Sequence, residues 1–158
     1  MADKTEFLTT SSFWFECPSL DGKRSIAEVS GLSITVKAAA GQETVAVMQK
    51  GTSVRQAKPT GPATYEVIKV KVVATGQDDL YKWFIDVNPP NQGQASKWDM
   101  KGVNASVKSY NAGNEETAIW EITACYPTKY GGPSFKAGDG GLAFEEFELT
   151  HNGVARTK

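Results

Sequence analysis

A chain of 158 residues, 40% hydrophobic and 22% charged, has the length of one domain and the composition of an ordinary globular protein. Seventeen Lys and Arg against eighteen Asp and Glu leave a formal charge of -1, which argues against a phosphate-binding surface spread over the whole molecule. One histidine and two cysteines cannot build an all-protein zinc site of the four-cysteine, two-cysteine two-histidine or three-histidine type, and no second histidine exists to serve a remote nucleophile.

Thr, Val and Ile together number 33 against six Leu, a ratio that favours strands. The segment Met1 to Thr10 lacks the basic start and apolar stretch of a secretory signal, and no apolar run nears the roughly 18 residues of a membrane span. Synthesis in a cytosol is therefore expected, with residues 1–9 as a flexible arm. In a reducing compartment Cys17 and Cys125 are expected as free thiols that behave as small buried hydrophobes, a disulfide between them being the alternative.

Ser12 to Cys17 is short and aromatic, bounded by Pro18 and the Asp21-Gly22 turn signal, and reads as a first strand. Ser25 to Ser30 and Leu32 to Lys37 follow on either side of Gly31. In the second of these, Leu32, Ile34 and Val36 alternate with Ser33, Thr35 and Lys37, which predicts a half-buried strand. Residues 38–63 hold one weak strand, Thr44 to Met48, among Gly- and Pro-rich turns. A segment of this length is expected to be an extended loop used in contacts, with Lys50, Arg55 and Lys58 as the candidate contact cations.

Tyr65 to Ala74 is the strongest strand, with Ile68, Val70 and Val72 alternating against Val67, Lys69 and Lys71. The period then changes. Leu80, Trp83, Phe84 and Val87 fall on one face of an amphipathic helix at about residues 77–87, while Asp78, Lys82 and Asp86 recur opposite. Thr75 and Asp78 suggest a capping box, and Pro89-Pro90 ends the helix. After a polar connection, strands are predicted at Val103 to Tyr110, Thr117 to Tyr126 and Leu142 to His151, the first two joined by an Asn111-Ala112-Gly113-Asn114 hairpin turn. In the middle strand Ala118, Trp120, Ile122 and Ala124 share one face, and Thr117, Ile119, Glu121, Thr123 and Cys125 share a wetter one. Phe144-Glu145-Glu146-Phe147 predicts a β-bulge, because two aromatics three apart do not share a face of an unbroken strand. Seven or so strands with one helix predict a mainly β fold. The expected form is an antiparallel β-sandwich or partly closed barrel with one flanking α-helix, in a single domain over 1–158.

The chemistry-bearing residues do not assemble into a catalytic set. His151 has no seryl or cysteinyl partner at a recognisable spacing. Glu145, Glu146 and Glu148 lack a second acid in a separate environment and read as a solvated face. Gly138-Asp139-Gly140-Gly141 has neither the Lys-Ser/Thr ending of a phosphate loop nor a following helix, so it reads as a turn. No enzyme, cofactor or metal is expected.

Six words in order carry a family resemblance. They are Phe7-Leu8-Thr9-Thr10-Ser11 with Phe13; Glu28-Val29-Ser30-Gly31-Leu32; Lys58-Pro59-Thr60-Gly61 with Tyr65; Leu80-Tyr81-Lys82-Trp83-Phe84; the run from Ala124 through Tyr126-Pro127-Thr128-Lys129-Tyr130-Gly131-Gly132-Pro133; and Phe147-Glu148-Leu149-Thr150-His151-Asn152-Gly153. Together they resemble the phage tail-tube protein family, the inner tubes of contractile tails and of related extracellular injection systems. Two stretches depart from the family pattern: Ala38 to Lys50 lacks a charged run that many members carry, and Pro89 to Asp99 is a longer, more polar linker.

The resemblance implies a structural subunit that forms hexameric rings, which stack into a hollow conduit inside a contractile sheath. Implied partners are further copies of the chain, the sheath protein, baseplate or tube-initiator and tail-terminator proteins, and DNA or protein cargo passing without sequence-specific binding or membrane insertion. Assembly is expected in the cytoplasm, before the tube becomes part of a virion tail or a released injection particle. Thr117, Glu121 and Thr123 are the lumen-facing candidates, and the helix is expected outside the sheet. Two alternatives stand beside this reading. One is a β-sandwich module that binds carbohydrate or another ligand through Trp14, Trp98 or Tyr110; the other, within the family, is a baseplate-proximal tube initiator. A thiol enzyme using Cys17 or Cys125 with His151 is the remaining, weakest reading.

Overall fold

The computed structural model describes residues 7–20, 25–38, 60–91 and 93–158. In chain order they form β1 (Phe13–Glu16), β2 (Ile26–Ser30), β3 (Ile34–Thr35), β4 (Thr64–Tyr65), β5 (Ile68–Val73), α1 (Asp79–Val87), α2 (Trp98–Lys101), β6 (Val103–Tyr110), β7 (Glu116–Gly131), β8 (Phe144–Thr150) and β9 (Gly153–Arg156). The main sheet has the order β1-β6-β7-β8-β5-β2, with β9 attached to β7 and with β3 and β4 forming a separate two-stranded ribbon. All pairings are antiparallel. β1 and β2 end the order without bonding to each other, so the sheet curls around its core without closing. This is the mainly β, partly closed architecture that the β-branched composition predicts, with α1 at its flank.

β7 is the strand that lets one sheet wrap a core. Its 16 residues pair with β6 and β9 along the first half and with β8 along the second. Between the halves the register slips, with Val103 opposite Cys125 but Ala105 opposite Ile122. The extra residue is taken up at Ala124, which has a φ of 49° and donates its N–H to Asn104 Oδ1 at 3.0 Å. The bulge reverses the expected faces beyond it. Cys125, predicted on the wet face with Glu121 and Thr123, is fully buried, as is Pro127 two residues on. A second slip between Pro127 and Lys129 leaves Thr128 as the extra residue, its hydroxyl donating to the Glu148 carbonyl.

The core is built by alternation on β5 and β8. Ile68, Val70 and Val72 are buried while Lys69 and Lys71 face outward, and Phe147 and Leu149 continue the layer across the β5–β8 ladder. Each such aliphatic side chain contributes about 1.5–3 kcal/mol relative to leaving it in water. The predicted bulge at 144–147 is absent. Val73 to Ile68 pair with Phe144 to Leu149 without a slip, so Phe144 and Phe147 simply occupy opposite faces. Phe144 stays outside under the Lys71 ammonium at 4.9 Å, Phe147 meets Phe15 edge-on inside, and Glu145 takes the buried position between them. The strand begins at Phe144 and leaves Leu142 71% exposed.

α1 buries Leu80, Trp83 and Val87 in the same core and sets Tyr81 and Phe84 against Tyr130 of β7. The predicted capping box does not form: Thr75 Oγ1 accepts from the Gln77 N–H, and Asp78 at the N-cap makes no side-chain cap bond. Before Pro89-Pro90 the helix ends on Asn88, whose side-chain amide donates to the Phe84 and Pro127 carbonyls. The polar connection that follows contains the short α2, where Lys101 reaches back to Asp86 at 2.9 Å. The predicted hairpin turn is present, closed by Asn114 N–H to the Asn111 carbonyl with Asn114 at φ 61°.

The segments expected as two long strands, Leu32 to Lys37 and Tyr65 to Ala74, are interrupted opposite one another. Beyond the break Ile34–Thr35 and Thr64–Tyr65 pair, and they form a ribbon that carries the β2–β5 hairpin past the end of the sheet. Gly31 marks the break at φ 92°, so close to β5 that a Cβ there would lie 2.1 Å from the Val67 carbonyl oxygen. The ribbon is not half-buried: Ile34 and Val36 are 52% and 49% exposed.

Candidate assembly interface

Two faces of the sheet have opposite electrostatic designs. Across β2, β5, β8 and β7 the outward residues form cross-strand rows of alternating sign. Glu28, Lys71 and Glu146 stand in one row, and Lys69, Glu148 and Lys129 in the next. Lys71 pairs with Glu146 at 3.7 Å and Lys129 with Glu148 at 3.2 Å, so this face is internally compensated.

The outward face of β1, β6, β7 and β9 is polar and less balanced. Glu16, Ser106, Glu121 and Ala155 occupy one cross-strand row. The single ammonium of Lys108 contacts Glu16 at 3.0 Å and Glu116 at 3.5 Å. Its hydrogen bond with Glu16 outweighs burial and holds the Lys108 pKa above the ordinary value. Glu121 stands outside that network, exposed and with no ion-pair partner among the described residues.

The candidate residues named from the sequence fall as follows. Glu121 and Thr123 are exposed neighbours on this polar face. Thr117 lies at the irregular start of β7, half-buried, with its hydroxyl donating to the Ser109 carbonyl at 3.0 Å. Lys50, Arg55 and Lys58 lie outside the described residues, as do the predicted strand Thr44 to Met48 and most of the extended loop.

Three further features were not placed on particular residues from the sequence, although the family resemblance implies that exposed sheet edges pair between neighbouring copies. The first is a pair of open edges: among the described residues β1 bonds only β6, and β9 bonds only β7. The Tyr110 N–H donates to Ser12, so by the alternation of antiparallel pairing the Phe13 N–H points to the free side. The second is the apolar ribbon, with Ile34, Val36, Tyr65 and Val67 all exposed. The third is the β7–β8 loop, where Phe135 and Leu142 are 82% and 71% exposed. The β5–β8 register separates these two apolar groups. The ribbon extends from the end where Ile68 meets Leu149, and the loop joins at the end where Val73 meets Phe144.

The residues weighed for chemistry are engaged structurally. His151 Nε2 lies 2.8 Å from the Glu66 carbonyl oxygen and its ring meets Tyr65 edge-on at 5.7 Å. Cys17 and Cys125 are both free and buried in the core. Trp14 and Trp98 are each 51% exposed but sit on different elements, Trp98 tilted against Tyr126 at 5.9 Å. Among the described residues no group of three or more His, Cys, Asp or Glu is placed to hold a metal, and no helix is long and apolar enough to cross a membrane.

Open sheet edges and exposed apolar ends on an otherwise well-formed core define a building block of a larger assembly. The chain belongs to the T4-like virus tail tube protein gp19 family, whose model matches residues 10–155, and it is a structural tube subunit. No curated protein matches it significantly. Among solved structures it is similar to a chain of the PVC extracellular contractile injection system sheath-tube complex in its extended state. That match is 19% identical, covers 98% of this chain and 93% of the other, and has a TM-score of 0.70. A chain of the PVC sheath/tube terminator is 21% identical over 98% of this chain and 99% of its own, at a TM-score of 0.71. Hcp1 from Flavobacterium johnsoniae is 16% identical, with coverages of 92% and 94% and a TM-score of 0.59. These likenesses show that the fold is shared with chains of a contractile injection system and with Hcp1, and no finding favours a carbohydrate-binding module.

Proposed function

We propose that copies of this chain close into hexameric rings by pairing the free edge of β1 in one copy with the free edge of β9 in the next, and that the rings stack into a conduit. The carrying observation is the four-stranded unit β1-β6-β7-β9, whose outward face sets Glu16, Ser106, Lys108, Glu121 and Thr123 beside Trp14 and whose two edges are unpaired among the described residues. An edge-to-edge contact between unlike strands is heterologous, and such a contact closes into a ring when its rotation divides the circle. The polar face turns inward in this arrangement, with Glu121 and Thr123 toward the lumen and Thr117 near its rim. Carboxylates there repel nucleic-acid phosphates, and a protein or DNA cargo slides past without being held.

The compensated face and α1 are left outward, toward a sheath. The apolar ribbon, the extended loop over 38–63 with Lys50, Arg55 and Lys58, and the arm over 1–9 supply contacts between neighbouring copies and rings. Tube initiator, baseplate and terminator proteins meet the two ends of the stack. The subunit is a passive, non-enzymatic conduit wall, and as a bulk subunit it is made and assembled in the cytoplasm before joining a tail or injection particle. Light scattering with negative-stain imaging of the purified chain tests this. Rings or tubes of uniform bore are expected, and a strictly monomeric protein at high concentration, with no rings, would overturn it.

A further inference from the structure

Edge pairing uses the sides of the strands and leaves the two ends of the β5–β8 ladder to face the rings above and below. Each end carries an exposed apolar group of a different form. At one end the ribbon is two-faced. Ile34 stands directly opposite Tyr65, and Thr35 opposite Thr64, whose hydroxyl donates to the Thr35 carbonyl, so one side is apolar and the other is lined by threonine. The apolar side continues the core-facing side of the chain. Leu32, two residues before Ile34, packs against the core, and the Tyr65 ring meets the buried His151. At the other end the β7–β8 loop forms a turn with Gly138 at φ 82°. There the Asp139 N–H donates to the Lys136 carbonyl and the Asp139 carboxylate accepts from the Gly141 N–H, and the loop presents Phe135 and Leu142 to solvent.

We propose that the apolar side of the ribbon in one copy seats Phe135 and Leu142 of a copy in the adjoining ring. This contact rests on the ring reading and supplies its axial half. The two patches of one copy cannot cover each other, because the six residues of β5 lie between them and hold them roughly 17 Å apart. A contact between unlike patches at opposite ends repeats along an axis without limit, as a tube subunit needs, whereas ribbon on ribbon would close after two rings and stop growth. Charge permits the match: Lys37 and Glu66 flank the ribbon, and Lys136 and Asp139 lie in the loop, one of each sign on each patch and all exposed. A few side chains bury too little to hold two monomers together. A ring makes the contact once per subunit, so stacking follows ring closure instead of competing with it.

The experiment follows the full chain by native mass spectrometry for rings and by negative-stain imaging for tube length. Ile34→Lys and Leu142→Glu are each expected to keep the rings and the melting temperature of wild type, because both side chains are exposed, while mean tube length falls at least tenfold. A second measurement reads the pairing directly. Mild oxidation of tubes assembled from a mixture of Ile34→Cys and Leu142→Cys chains is expected to give covalent dimers with one chain of each kind, joined through positions 34 and 142 as read by peptide mass. Tubes of wild-type length from both charged variants, or dimers that join Ile34→Cys chains to each other, would overturn the proposal. Wild-type rings that never stack would overturn this contact alone, and wild type that forms no rings would overturn the ring reading and this contact with it.

Discussion

At Gly31 a single missing atom governs the geometry of the β2–β5 hairpin. The backbone there is left-handed, and any side chain would press its Cβ into the Val67 carbonyl, a backbone oxygen with no freedom to retreat. Gly31→Ala is therefore expected to cost about 3 kcal/mol, read as a lower urea midpoint with an unchanged m-value. Gly61→Ala, where the added atom meets nothing within 4 Å, serves as the control and is expected to be near neutral. The Gly31 requirement was visible in the sequence only as a separator between two strands. Ala124 was not visible at all. A non-glycine residue at positive φ carries no signature in its own identity, and its cause is Asn104, twenty positions earlier, holding the Ala124 N–H. That unreadable bulge is why Cys125 was assigned to the wrong face.

Among the elements, strongly periodic segments were legible and their terminations were not. β5 and α1 were read from the spacing of Ile68, Val70 and Val72 and of Leu80, Trp83 and Val87, because burial on one face writes the period directly into the chain. The Leu32 to Lys37 alternation has the same look but a different outcome, since Ile34 and Val36 are exposed. Thr75 and Asp78 had the spacing of a cap, but the Thr75 hydroxyl accepts from Gln77. The α1–α2 link was also hidden in what read as a polar connection. There the hydrogen bond from Lys101 holds Asp86 below the usual carboxylate value. A depressed folded-state pKa stabilises above the unfolded-state value and is lost as pH falls through the folded one. Asp86→Asn is thus expected to lower stability at neutral pH by less than about 1 kcal/mol, because the pair is half-exposed. The gap between variant and wild type is expected to vanish in acid, below the carboxylate range, as followed by urea titrations at several pH values.

For the whole molecule, the family was legible from its words and edge pairing between copies was expected from it, while the strands that carry the free edges emerged only from topology. Nothing local in Phe13 to Glu16 says that its outer side is unpaired; that depends on β6, ninety residues away, being its only partner among the described residues. Phe13→Pro removes an N–H that faces the free edge and leaves the β6 ladder intact. The variant is expected to keep the far-ultraviolet spectrum of wild type while ring formation falls at least tenfold by light scattering, and undiminished rings would count against edge pairing. The shared strand β7 has a consequence of another kind. Ile122 is clamped by β6 and β9, and a few residues further on the same backbone is clamped by β8. Both halves of the sheet are built on this one backbone and pack on one core, so the subunit is expected to unfold as one cooperative unit. Native-state hydrogen exchange checks this. The amides of Val107, Ile122, Val70 and Leu149 are expected to share a single opening free energy equal to that of global unfolding, so the subunit gives way entire or holds entire.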